Sequence, residues 1–91
     1  MNDLQDGQSV SMALLAVVPQ TLAEAEALSA SIERAVQQQT GGGIAHLAVV
    51  VDDSGVFLHG SCSSYYHKQL AQHAAMTVPS GLRLTNCIEV D

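Results

Sequence analysis

The run His59-Gly60-Ser61-Cys62-Ser63-Ser64-Tyr65-Tyr66-His67 sets one thiol between two imidazoles. These are the groups of a thiol nucleophile with its base, or of a zinc site that accepts both sulfur and nitrogen. Each chemistry sets a condition. A nucleophilic Cys62 needs exposure, a partner such as His67 to lower its pKa, and a third group to orient that partner. No orienting acid lies nearby in sequence. A metal site needs convergent ligands, yet period-two alternation sends His59 and Cys62 to opposite faces of one strand end. His46, His59 and Cys87 form a better cluster, and they converge if the strand holding Cys87 lies beside the strand holding His46. No Cys-x-x-Cys or His-x-His spacing supports a metal.

The remaining candidates reduce to local structure. Gly41-Gly42-Gly43 follows a helix and precedes a strand, the reverse of the order that aims helix-terminal amides at a phosphate. Asp52 and Asp53 sit in turn chemistry, with too few oxygen ligands for calcium. Tyr65 and Tyr66 begin a helix and have no proton-transfer partner. The sequence therefore predicts no catalytic residue, no cofactor and no metal ligand.

The elements that must position these residues follow from punctuation and period. Pro19 breaks the chain, and Thr21 with Glu24 forms a capping box. Leu22, Ala25, Leu28, Ile32, Ala35 and Val36 then recur at helical spacing, so residues 22–39 read as an amphipathic helix ended by the glycines. Residues 44–51, "IAHLAVVV", and 56–61, "VFLHGS", flank the turn "DDSG" and read as a β-hairpin. With that turn, Val51 faces Val56, and Leu47, Val49, Val51, Val56, Leu58 and Gly60 share the core face. Cys62 continues that parity, so it is predicted to be a small buried hydrophobe. Ile44, His46, Ala48, Val50, Phe57 and His59 fall on the opposite face, which is unusually apolar for a wet surface.

Ser63 or Ser64 caps a second helix running to about Val78, with His67, Leu70, Ala71, Ala74, Ala75 and Val78 on its inner stripe. From Leu84, "LTNCIEV" alternates as a third strand. Leu84, Asn86, Ile88 and Val90 point inward, and Arg83, Thr85, Cys87 and Glu89 point outward. The expected fold is α+β: an α-β-β-α-β two-layer sandwich, with a three-stranded mixed sheet and both helices on one face. Residues 1–20 form an N-terminal tail or docked apolar segment, and 21–91 form one domain. The apolar run at 11–18 fits an edge strand, a docked tail or a partner contact.

Three Lys or Arg against nine Asp or Glu leave a net charge of −6, which repels nucleic-acid backbones and anionic lipid alike. The cations Arg34, Lys68 and Arg83 are scattered, so no basic stripe forms and nucleic acid is not expected as a partner. With charged residues at only 13% and hydrophobic ones at 47%, the chain is a folding composition rather than a disordered one. Met12 to Val18 is too short to span a bilayer, and the acidic start lacks the basic region of an export signal. The expected location is cytoplasmic, with both cysteines as free thiols.

"SGVFLHGSCSS" resembles the BON domain, a small bacterial module of osmotic-shock and nodulation proteins. In that family a strand ends in glycine with serine four positions later, here Gly60 and Ser64. Ala71 and Ala75 match the two helix alanines of the family. "GLRLTNCIEV" is similar to its ending, through Gly81, Leu82, Asn86, Ile88 and Val90. The resemblance covers residues 22–91 and implies a non-enzymatic module that contacts phospholipid or protein. Together with the acidic balance, it predicts a binding or assembly module whose open sheet face meets a protein partner or a second copy. A peripheral phospholipid-binding module is the alternative, and a thiol or metal-dependent enzyme the remaining one.

Overall fold

The structure, a computed structural model, describes residues 19–91. The expected tail at 1–20 and the apolar run at 11–18 therefore lie almost wholly outside the described residues. Helix α1 spans Leu22–Thr40, strand β1 Ala45–Asp52, strand β2 Gly55–Cys62, helix α2 Tyr65–Met76, strand β3 Leu84–Asn86 and strand β4 Glu89–Val90. The fold is α+β with a mixed sheet.

Helix α1 begins where the capping residues place it. Thr21 is extended, and its Oγ1 accepts from the Glu24 amide at 3.1 Å. The Glu24 carboxylate reaches back one residue further than a regular capping box and accepts from the Gln20 amide at 2.7 Å. The first bond occupies an amide that the helix's first turn leaves without a partner, and the second ties the residue before the cap to that turn. Leu28, Ile32, Val36 and Thr40 are buried at four-residue spacing, and the Thr40 hydroxyl donates to the Val36 carbonyl at 2.7 Å. Leu22, expected on that stripe, is instead 75% exposed. The first turn overhangs the hairpin end, where an open cleft separates it from Val51 and Leu82. At the other end the Gly41 and Gly42 amides donate back to Gln38 and Gln37, the paired bonds of a Schellman motif.

β1 and β2 pair antiparallel with Val51 opposite Val56, as the turn requires. The Asp52 carboxylate closes the turn by accepting from the Ser54 hydroxyl at 2.7 Å and the Ser54 amide at 2.8 Å. The Ser54 hydroxyl, with the Ser54 and Gly55 amides behind it, holds the Asp52 pKa below its ordinary value. A depressed carboxylate favours the folded state above the ordinary Asp range, and that contribution is lost as pH falls through the lowered value.

The hairpin departs from simple alternation at its far end. Between Ala45 and Ala48 the register slips, and His46 adopts φ 55, a left-handed conformation. β1 thus carries one residue more than β2 here, a β-bulge. The extra residue reverses the facing of everything upstream. Ile44, predicted on the open face, is 6% exposed and belongs to the core.

β2 is the central strand, antiparallel to β1 and parallel to β3 and β4. Val56 pairs with Leu84 and Ser61 with Glu89, the same offset, so β3 and β4 are two parts of one edge strand interrupted at Cys87 and Ile88. The expected three-stranded sheet is present, with its last strand split. The Cys87 amide still donates to the Leu58 carbonyl at 2.8 Å across the break.

Asn86 organises that break. Its Oδ1 accepts from the Ile88 amide at 3.1 Å, and its Nδ2 donates to the Lys68 carbonyl of α2 at 3.0 Å. Asn86→Ala removes both bonds, so it is expected to cost about 1–2 kcal/mol in urea unfolding. A loss too small to measure would mean that the side chain does not tie helix to strand.

The core joins Leu28, Ile32 and Val36 of α1 to Val56, Leu58 and Cys62 of β2, and Ile44 and Ile88 complete it. Ala71, Ala74 and Ala75 are the buried residues of α2, small enough for the two helices to approach closely. α2 ends at Met76, earlier than the expected Val78, because Thr77 takes the cap position and its hydroxyl donates to the Ala74 carbonyl.

Candidate functional site

The thiol and imidazoles of the 59–67 run are separated by the fold. Cys62 closes β2 inside the core, 6% exposed, with its thiol donating to the Ser64 carbonyl at 3.2 Å. Ser64 is extended and caps α2, its Oγ accepting from the His67 amide at 3.3 Å. The same Oγ lies 3.0 Å from His67 Nδ1. That is the spacing of a nucleophile and its base, and it arises here from the capping position. The far edge of the imidazole rests on Gly43, where an added Cβ would come within 2.6 Å of the ring. Among the described residues the His67 ring meets Ser64 and the Tyr66 ring edge, with no carboxylate to orient it. The run is a strand turning into a helix. The Ser-x-x-His capping spacing was the sequence signal for the Ser64–His67 contact, which a search centred on Cys62 passes over.

The open sheet face is different, because it brings predicted residues together in rows. Val50 pairs with Phe57, and Phe57 pairs with Thr85 across the parallel seam. Ala48 pairs with His59 one row on, and the common offset of β3 and β4 puts Cys87 on the far side of His59. Val50 is 44% exposed, Phe57 half-buried, and Ala48, His59 and Cys87 exposed. Asp52 and Arg83 stand at the hairpin end of this face and Glu89 at the other, all exposed. His46 sits exposed in the bulge. Both helices pack on the other side of the sheet, so nothing among the described residues covers these rows.

The conditional cluster of His46, His59 and Cys87 does not assemble as one site. The strand holding Cys87 lies beside β2 rather than β1, which makes His59 and Cys87 neighbours and leaves His46 apart. Among the described residues no three His, Cys, Asp or Glu side chains come together as metal ligands. Cys62 and Cys87 are free thiols, one in the core and one on the open face.

Two shallow clefts lie elsewhere. One of about 490 Å³, between the end of α2 and β3, is lined by Gln72, Met76, Ser80 and aliphatic residues, with no titratable side chain. The other, about 660 Å³, lies between the start of α1 and the hairpin turn. Among the described residues no helix is long and apolar enough to cross a membrane. No protein-family model matches the chain, and neither curated proteins nor solved structures match it.

Proposed function

We propose that the domain is a BON-like, non-catalytic binding or assembly module that contacts a protein partner or another copy through the open face of its sheet. The observation that carries this is the apolar strip of Ala48, Val50 and Phe57, which nothing among the described residues covers, bordered by His46, His59, Arg83, Thr85 and Glu89. Contiguous apolar surface of this kind marks contact sites more often than it marks plain surface.

Four residues of the resemblance have structural tasks, which supports a module rather than an enzyme. Gly60 faces the bulge, Ser64 caps α2, and Ala71 and Ala75 are 0% and 4% exposed between the helices. Among the described residues the Cys62 thiol is buried and the His67 ring meets no orienting carboxylate. An exposed free thiol at Cys87 favours a reducing compartment, so we place the protein in the cytoplasm.

Photo-crosslinking in cells tests the face directly. A photoreactive residue in place of Val50 is expected to give protein adducts that disappear with Phe57→Ser. The same probe in place of Gln37, exposed on α1, should give none. Phe57→Ser itself should leave the fold intact, because Phe57 lies in the exposed row while its neighbour Leu58 fills the core. Equal labelling from both probes would remove the face from consideration. Adducts to lipid alone would favour the peripheral membrane reading.

A further inference from the structure

We propose that the occupant of the open face is a second copy of this chain, stacked face to face about a two-fold axis running across the strands at the level of Val49, Leu58 and Asn86. This rests on the open face being the contact surface. Those three residues lie in one row of the sheet. A two-fold axis along that row lays each strand antiparallel over its own copy, so positions equally far above and below the row meet. Phe57 then lies over the second copy's His59, and Val50, the most prominent aliphatic residue of the face, lies over the second copy's Ala48. Large meets small, and ring meets ring.

The charges obey the same inversion. Arg83 lies three positions to one side of Asn86 on the edge strand, and Glu89 three positions to the other. At about 3.3 Å per residue each stands roughly 10 Å from the axis. The two-fold places Arg83 of each copy opposite Glu89 of the other, forming two ion pairs. An unrelated partner imposes no such relation on one surface. A two-fold self-contact requires it, since one patch must be its own complement.

Charge also argues against a lipid occupant. The chain carries −6, and of its three Lys and Arg only Arg83 belongs to the open face. Arg34 and Lys68 lie on the helices behind the sheet. The face spans about 15 by 20 Å. That is well below the ~800 Å² per partner of a standard interface, so the dimer is weak and concentration-dependent.

Sedimentation of the full chain from micromolar to millimolar concentration, at low salt, tests the arrangement. Wild type should self-associate reversibly. Arg83→Glu and Glu89→Arg should each weaken association by about tenfold, because each sets like charges face to face twice. An equal mixture of the two variants should recover the wild-type affinity, since the mixed dimer restores opposite charges at both contacts. The double variant in one chain should recover it too. Amide spectra of each variant check that both fold. A monomeric wild type, or single variants that weaken association without recovery on mixing, would overturn the two-fold arrangement. A monomeric wild type whose Val50 probe still labels another protein removes the second copy alone. Absence of any Val50-specific labelling removes the face as well. Protection of the strip from amide exchange by residues 11–18 in a monomer would also overturn the proposal.

Discussion

Gly60→Val is expected to lower stability by about 3–4 kcal/mol, among the largest effects of a single substitution. A domain of this length holds about 5–10 kcal/mol in total, so the variant should be partly unfolded at 37 °C. Gly60 has φ 150, a conformation that side chains rarely adopt. Its missing Cβ would lie 2.8 Å from the Ile44 side chain, 2.9 Å from the Ala45 carbonyl oxygen and 3.3 Å from the Leu47 Cα. The obstacles are largely the backbone of the bulge, which cannot swing aside as a side chain would. Even Gly60→Ala meets them, and Val adds two methyl groups. Urea unfolding with an unchanged slope measures the loss. A deficit below about 1 kcal/mol would mean that the bulge yields, so that Ile44 is held in the core by something other than this contact.

Leu58→Ala is the second large effect, expected to cost about 2–5 kcal/mol. Leu58 has 0% exposure at the middle of the central strand, paired with Val49 on one side and Asn86 on the other. Its loss leaves a cavity within the core cluster, which the packed neighbours collapse into only in part. The neighbouring Phe57→Ser should cost far less, since Phe57 lies on the side of the sheet away from both helices. Thermal unfolding of the two variants side by side measures which way the strand faces. The reverse ranking would exchange the inner and outer faces of the sheet.

The parts of the fold legible in sequence are those decided by neighbours along the chain. Thr21 as the first cap, a serine at 63 or 64 as the second, the glycine end of α1, the turn at Asp52 and the Val51–Val56 pair each depend on a few adjacent residues. Alternation from that turn places Ala48, Val50, Phe57 and His59 correctly on the open face. It fails for Ile44, because the extra residue at His46 follows from Gly60 on the opposite strand and leaves no mark in the local pattern. The neighbour of the last strand was equally hidden. Alternation sorts Cys87 to a face but does not say whether β1 or β2 lies beside it, and in the fold it is β2. Leu22 illustrates a third limit, since helical period identifies a stripe without saying how far the sheet beneath it extends.

The bulge has one more consequence, for what the chain avoids becoming. Among the described residues β1 pairs with β2 alone, so its other edge is open along Leu47-Ala48-Val49-Val50-Val51, an aliphatic run with few charges. A straight edge of that composition is a template on which further strands add, the route to fibrils. Two features blunt it. Ser29 of α1 donates to the Val49 carbonyl at 2.8 Å and so occupies one of the run's acceptors. The left-handed turn at His46 then swings the start of the strand out of line, leaving only a short straight length for an incoming chain. The kink that seats Ile44 in the core thereby also works against growth of one molecule's sheet into a polymer.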